Sequence, residues 1–222
     1  MPIKNLIKYL EKPVRYDLTD KWLCKSSVKI LDVGCGNHSA SRTKRYYPNC
    51  KYYGLDKDKN YKNIPEDFKA MEDFYEINLN SNLESLNVVP NNFFDCIILS
   101  HTIEHLYNGE DVLLSLFPKL KKEGMIYIET PSPRSVRLPN LKIGLNFYSD
   151  PTHVKVYSLD NIESFLKKNG FSIIKSGTRR SLKRIIFLPM YIFGSLLRLK
   201  YIDASVFYDI TGFANYVIAS KN

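Results

Sequence analysis

Lys29-Ile30-Leu31-Asp32-Val33-Gly34-Cys35-Gly36 reads as a buried strand that ends in an acid and then opens into a tight Gly-x-Gly turn. A second apolar run, Tyr52-Tyr53-Gly54-Leu55, closes on Asp56 about twenty residues beyond the first acid. This pairing is the sequence form of a nucleotide-binding βαβ unit. The glycines carry no Cβ and tolerate positive φ, so the backbone can approach a ligand closely. An acid at the end of the second strand can accept charge-assisted bonds from both hydroxyls of a ribose. An adenosine-containing cofactor is expected in this half of the chain.

The turn discriminates between cofactors. A dinucleotide fingerprint carries a third glycine that packs helix against strand, but Gly36 is followed by Asn37-His38-Ser39. Asp32 also precedes the turn, and a carboxylate beside a pyrophosphate is repelled by about 4 kcal/mol per unit-charge pair at 4 Å and an effective dielectric of 20. Beside an ammonium or sulfonium group the same carboxylate is attractive. The balance favours S-adenosylmethionine over NAD. A strand-end acid after a glycine turn has little structural reason to exist.

Ile30-Leu31-Asp32-Val33-Gly34-Cys35-Gly36 resembles the first motif of the class I S-adenosylmethionine-dependent methyltransferases, and Tyr53-Gly54-Leu55-Asp56 resembles their ribose-binding strand end. Ile77-Asn78-Leu79, Val89 to Ser100, His101-Thr102-Ile103-Glu104-His105-Leu106 and Gly124 to Pro131 are similar to the later strands and helix start of that family, in order, over about residues 28 to 176. The resemblance implies a Rossmann-like, doubly wound α/β sheet of seven strands with helices on both faces. It is mostly parallel, with an antiparallel C-terminal strand. It also implies roles: Gly34, Cys35 and Gly36 at the methionine part with Asp32 near its ammonium, Asp56 and Lys57 at the ribose, Asn78 and Leu79 at adenine, and backbone contacts from Ser100. The family commonly has a further glycine where this chain has His38, and often an acid where it has Asn78.

Periodicity supplies the elements. Ile3, Leu6, Ile7 and Leu10, then Trp22 and Leu23, read as leading helices over 1–27. Strands are expected near 28–33, 51–56, 73–77, 94–99, 124–129, 171–174 and 216–219, with helices at 108–121 and 159–168, the latter capped by Ser158 and ended by Gly170. The chain of 222 residues suits one domain, 1–222, with an insertion at about 178–213 between the last two strands.

That insertion and its approach carry the charge. The net charge is +9, and Lys167, Lys168, Lys175, Arg179, Arg180, Lys183, Arg184, Arg198 and Lys200 occur with no acid among them; without them the chain is balanced. Ile185 to Leu197 is mostly apolar between basic flanks. Such a segment suits either a lid or core-packing helix, or an element lying on anionic lipid through 179–200. No apolar run approaches the roughly twenty residues of a membrane span, and Met1 to Leu10 lacks a signal-peptide core. Cys24, Cys35, Cys50 and Cys96 show no metal spacing. A cytoplasmic location with reduced thiols is expected, peripheral to the inner face of a membrane if 179–200 touches lipid.

Methyl transfer to a hydroxyl needs in-line positioning and removal of a proton. His153, in Tyr148-Ser149-Asp150-Pro151-Thr152-His153, is the first candidate base, with Asp150 to orient it; anchoring the loop is its alternative role. His101 is the second. His105, four residues on, falls on the same helical face, but the pair lacks a third ligand at suitable spacing, so no metal site is expected. Glu104 and Glu129 are further candidate bases. Asp150 to Phe171 resembles the small-molecule branch, which includes quinone- and sugar-methylating enzymes. The expected acceptor is a small-molecule hydroxyl, on an anionic, lipid-linked or polysaccharide-related compound. O-methylation is favoured because Ser100-His101-Thr102-Ile103 lacks the Asn/Asp-Pro-Pro-Tyr pattern of many N-methylating sites. The rivals are a nucleic-acid methyltransferase, supported only by the basic patch, and a non-catalytic binding or scaffold domain.

Overall fold

Alternate residues along each central strand face opposite ways, and two separate cores form as a result. The computed structural model describes residues 9–140, 144–202 and 204–222. Ile3, Leu6 and Ile7 of the expected leading helix therefore lie outside the described residues. Strands β1 (Lys29–Val33), β2 (Lys51–Asp56), β3 (Asp73–Glu76), β4 (Phe94–Ser100), β5 (Leu120–Pro131), β6 (Phe171–Thr178) and β7 (Ala214–Lys221) form one sheet in the order β3-β2-β1-β4-β5-β7-β6. All pairings are parallel except those of β7, which runs antiparallel to both β5 and β6.

On one face Ile30, Tyr52, Cys96, Ile98, Met125, Tyr127 and Ile218 pack beneath α1 (Val14–Leu23) and α2 (Ser39–Tyr46), whose Tyr16, Leu23 and Ala40 point inward. On the other, Leu31, Val33, Leu55, Ile97, Leu99, Ile126, Ile128 and Val217 pack with later elements of the chain. A short helix α3 (Pro65–Lys69) lies between β2 and β3. Helix α4 (Gly109–Leu116) contributes Val112, Leu113 and Leu116 to the second core, and α5 (Leu159–Lys168) contributes Ile162 and Leu166. Ser158 caps α5 by accepting from the Asn161 N–H at 3.1 Å, and Gly170 leaves it with φ 82°.

The expected helix at 108–121 is shorter than its pattern. Pro118, which has no N–H to donate, sits in a 3-10 turn over Phe117–Lys119, and β5 starts at Leu120. The insertion folds as α6 (Leu182–Ile186), α7 (Leu188–Leu199), a 3-10 turn at Ala204–Phe207 and α8 (Tyr208–Thr211). Among the described residues no helix is long and apolar enough to cross a membrane.

From β1 the chain winds outward through β2 and β3, then returns to β4 on the other side of β1. The crevice at this reversal, beyond the carboxyl ends of β1 and β4, is where an open α/β sheet binds ligands.

Candidate active site

The glycine turn is built by close approach. Gly34 has φ +76°, and a Cβ there would meet Thr102 Oγ1 at 2.4 Å. That hydroxyl donates to the Val33 carbonyl at 2.8 Å, tying the segment after β4 to the end of β1. The Gly36 N–H donates to Asp56 Oδ2 at 3.0 Å, and the Lys57 N–H donates to Asp56 Oδ1 at 2.8 Å. With the Asp58 N–H donating to Oδ1 at 3.4 Å as well, three backbone donors fix the Asp56 carboxylate, and Oδ2 keeps a further lone pair for a ligand hydroxyl. The Tyr61 ring lies against Gly36, where a Cβ would meet its Cδ1 at 2.6 Å.

Asn37 and His38 both sit in the left-handed region, at φ 61°. A residue with a Cβ loses about 1–2 kcal/mol in that conformation. His38 offsets this by donating from Nδ1 to the buried Asp67 Oδ2 at 2.7 Å. Burial pushes Asp67 up, but donors from Ser41, the Ile64 N–H and His38 outweigh it and hold the carboxyl below its usual range. The loop is therefore held by a side-chain bond where the family commonly has a glycine.

Asp32 does have a structural reason to exist, contrary to the sequence expectation. Its buried Oδ2 accepts from Ser39 Oγ at 2.6 Å and Tyr52 OH at 2.7 Å, with the Arg15 guanidinium at 4.0 Å. Strand alternation turns it toward α1 and α2, where it holds the first turn of α2. Cys35 is fully buried against Gly54, and burial pushes its thiol far up. Asn78 is exposed beyond β3, its Oδ1 accepting from the Asn80 N–H at 3.1 Å. The Leu79 side chain is buried, and its carbonyl accepts from Asn108 Nδ2 at 3.2 Å. Ser100 ends β4, and its carbonyl lies 3.4 Å from Thr102 Oγ1.

The four histidines divide into distinct environments. His101, at φ 56°, places Nδ1 3.2 Å from Glu104 Oε1 and Nε2 3.0 Å from Glu129 Oε1. Burial lowers its pKa, but the two carboxylates win and push it up to about 9. At neutral pH it is an imidazolium with both N–H groups engaged, which does not suit a general base. Its ring lies 6.1 Å from Tyr208 and 6.2 Å from Phe213, so the insertion covers it. Glu129 is itself buried, contacted by Tyr127 OH and by Arg179 Nη1 at 2.7 Å. Burial raises its pKa; Arg179, His101 and Tyr127 together drive it far below the carboxylate range.

His101 and His105 do not share a helical face. The segment forms only a 3-10 turn at Ile103–His105, and His105 turns away to His153, ring to ring at 4.6 Å. His153 Nδ1 lies 2.7 Å from the Phe147 carbonyl, to which it donates, leaving Nε2 as an acceptor 3.9 Å from Asp150 Oδ2. His105 Nδ1 contacts Thr152 Oγ1 at 2.8 Å. Burial, aided by the His153 ring, lowers the His105 pKa despite Glu104 and Asp150. Glu104, His105 and His153 have ligand-capable atoms within 4.8 Å of one another. His101 is not in this group, so the histidines that the fold brings together are His105 and His153 rather than His101 and His105; spacing along the chain could not show that the segment after β5 returns to this turn.

The basic patch is also revised. Arg179 pairs with Glu129 and sits 3.6 Å from Asp209; Arg184 is 3.9 Å from Asp209; Lys183 reaches Asp17 at 3.0 Å. These cations neutralise partners inside the chain. The Arg198 side chain lies outside the described residues. Thr102, Tyr61, Arg179, Tyr208 and Phe213 also line or brace this region, and nothing in their local sequence reveals what they touch.

A family model described as a methyltransferase domain matches residues 6–176. The chain belongs to this methyltransferase family. Its fold is that of the class I S-adenosylmethionine-dependent methyltransferases. Similar solved structures include an S-adenosylmethionine-dependent methyltransferase from Mesorhizobium loti (TM-score 0.68, 12% identity, covering 96% of this chain and 100% of that one). One from Archaeoglobus fulgidus has TM-score 0.60 and 21% identity, covering 93% and 91%. The plantazolicin methyltransferase BpumL, solved with S-adenosylhomocysteine, has TM-score 0.61 and 17% identity, covering 97% and 84%. No curated protein matches the chain in sequence.

Proposed function

We propose that this member of the family methylates a hydroxyl of a small molecule, with the acceptor held beside Glu104, His105 and His153. S-adenosylmethionine supplies a methyl group on a sulfonium, whose departure as a neutral thioether drives the reaction. Asp56 holds the cofactor ribose, with Gly34 and Gly36 passing beneath the methionine part. The acceptor oxygen forms the bond to the methyl carbon as the carbon–sulfur bond breaks, and its proton must leave. The observation that carries the hydroxyl acceptor is the proton-accepting lone pair at His153 Nε2, in the segment fastened to Glu104, which lies two residues after the Thr102 that abuts Gly34. His101, already an imidazolium, instead stabilises negative charge on Glu104 and Glu129.

A sugar or polysaccharide-related acceptor, or a lipid-linked one, fits the insertion best. Leu182, Ile186, Met190, Phe193 and Leu197 of α6 and α7 are exposed large apolar side chains. A row of this kind supports contact with the inner face of a membrane near a lipid-linked substrate. Nucleic acid is disfavoured, because Arg179, Lys183 and Arg184 are paired internally. A screen with labelled S-adenosylmethionine against sugars, glycolipid mimics and RNA tests the reading. Label should enter a hydroxyl compound, and His153→Ala should slow turnover about 10²–10⁴-fold. Transfer to RNA alone, or an undiminished rate in the variant, would overturn it.

A further inference from the structure

Glu104 is fully buried, and its Oε2 has no hydrogen-bond partner among the described residues. A buried carboxylate oxygen without a donor is rare enough to require a physical cause. Next to it stand two imidazoles. His153 has Nδ1 engaged by the Phe147 carbonyl at 2.7 Å, and His105 has Nδ1 against Thr152 Oγ1 at 2.8 Å. On each ring Nε2 remains free of these contacts, and one ring nitrogen of each histidine and one carboxylate oxygen of Glu104 lie within 4.8 Å of one another. Acceptors so placed repel one another unless a shared proton or a cation joins them, and a cation engages all three at once.

We propose that Glu104, His105 and His153 form a binding site for one divalent first-row transition metal ion. Ligands about 2.0–2.2 Å from a common ion stand roughly 3–3.5 Å apart. The candidate atoms lie within 4.8 Å of one another, so binding draws them together, by rotation of the two part-exposed rings. The surroundings are those of a metal centre. Each histidine has its other nitrogen fixed by a backbone carbonyl or a hydroxyl, and the carboxylate is held through Oε1 by His101. The Glu104 carbonyl also accepts from the Val154 N–H at 2.8 Å and the Lys155 N–H at 3.3 Å, which fastens the His153 segment to the His105 turn. Asp150, 3.9 Å from His153 Nε2, adds negative charge at the rim. Two imidazoles and one carboxylate select zinc, cobalt, iron or manganese over magnesium and calcium, which prefer all-oxygen sites.

With three protein ligands the ion keeps open positions. Given the methyltransfer reading, on which this consequence rests, the ion would take the place of His153 as the activating group: with the His153 and Glu104 lone pairs on the metal, a coordinated acceptor hydroxyl would ionise near neutral pH and release its proton to water in the crevice. Acceptors with two adjacent oxygens, able to chelate, are then the favoured class.

Cobalt(II) titrated into untagged, chelator-stripped protein tests the site without any turnover. One equivalent should bind, with visible ligand-field absorption, and excess magnesium should not displace it. His105→Gln and His153→Gln should each weaken binding at least about tenfold; calorimetric S-adenosylmethionine binding by the same variants, unchanged, would show that they fold. No stoichiometric cobalt in the wild type, displacement by magnesium, or unchanged affinity in both variants would overturn the site. Cobalt binding without S-adenosylmethionine binding would keep the metal site and remove the methyltransfer reading; the converse would remove the site alone.

Discussion

Replacing Arg179 by Met, nearly isosteric but uncharged, should be among the most damaging single changes in the C-terminal half. The Arg179 side chain is only 12% exposed, with Nη1 2.7 Å from Glu129 and Nε 3.6 Å from Asp209, both of which are 1% exposed. Around it Glu104, Glu129 and Asp209 balance His101, Arg179 and Arg184, so the substitution leaves one buried negative charge in excess. Breaking a buried ion pair from one side loses about 3–5 kcal/mol. Glu129 keeps His101 and Tyr127, which places the expected loss near the lower end, about 3 kcal/mol. Asp209 bears most of it: burial already raises its pKa, and Arg184 at 3.9 Å, with Lys183 farther off, is what remains to offset its charge. Urea unfolding followed by circular dichroism gives the number. Arg179→Lys should rescue little, since a single ammonium cannot span both acids. Asp209→Leu added to Arg179→Met should recover at least half of the loss, because it removes the stranded charge. A loss under about 1 kcal/mol for Arg179→Met, the level of an exposed pair, or no recovery in the double variant, would refute the reasoning.

Gly34→Ala combines a left-handed backbone penalty of about 1–2 kcal/mol with displacement of Thr102 from its bond to Val33. It should destabilise by about 2–3 kcal/mol in urea melts, and Thr102→Ala in the same chain should lose less than the sum of the two. Because the Glu129 carboxyl is held below its unfolded pKa, its stabilisation is complete above about pH 5 and declines as pH falls. Glu129→Gln should therefore be less stable than the wild type at pH 7 yet show a flatter acid limb in melts down to pH 3; parallel limbs would contradict the assignment. Phe193→Glu, at a side chain 62% exposed, should leave the melting temperature unchanged but abolish co-sedimentation with anionic vesicles. Equal sedimentation would remove the membrane contact.

The sheet was legible because its physics is local. Alternation of apolar residues marks the strands, the glycines mark the turn after β1, and Ser158 with Gly170 bracket α5. What escaped depends on residues distant in sequence. Asp32 looked like a ligand-facing acid until Ser39, Tyr52 and Arg15 were seen to surround it. The basic segment was counted as a surface charge, since a sum of charges does not say that Arg179 and Arg184 turn inward to Asp209. His153 was marked as a candidate base on its own, while its approach to His105 depends on the Glu104 carbonyl gripping Val154 and Lys155.

We infer that the turn after β1 and the carboxylate ending β2 hold the adenosyl cofactor. Calorimetric titration of S-adenosylmethionine and S-adenosylhomocysteine into the wild type and Asp56→Ala tests it most directly. Micromolar binding is expected, about −8 kcal/mol, weakened roughly a hundredfold in the variant by loss of charge-assisted bonds to the ribose. No binding by the wild type, or equal affinity in both proteins, would contradict it.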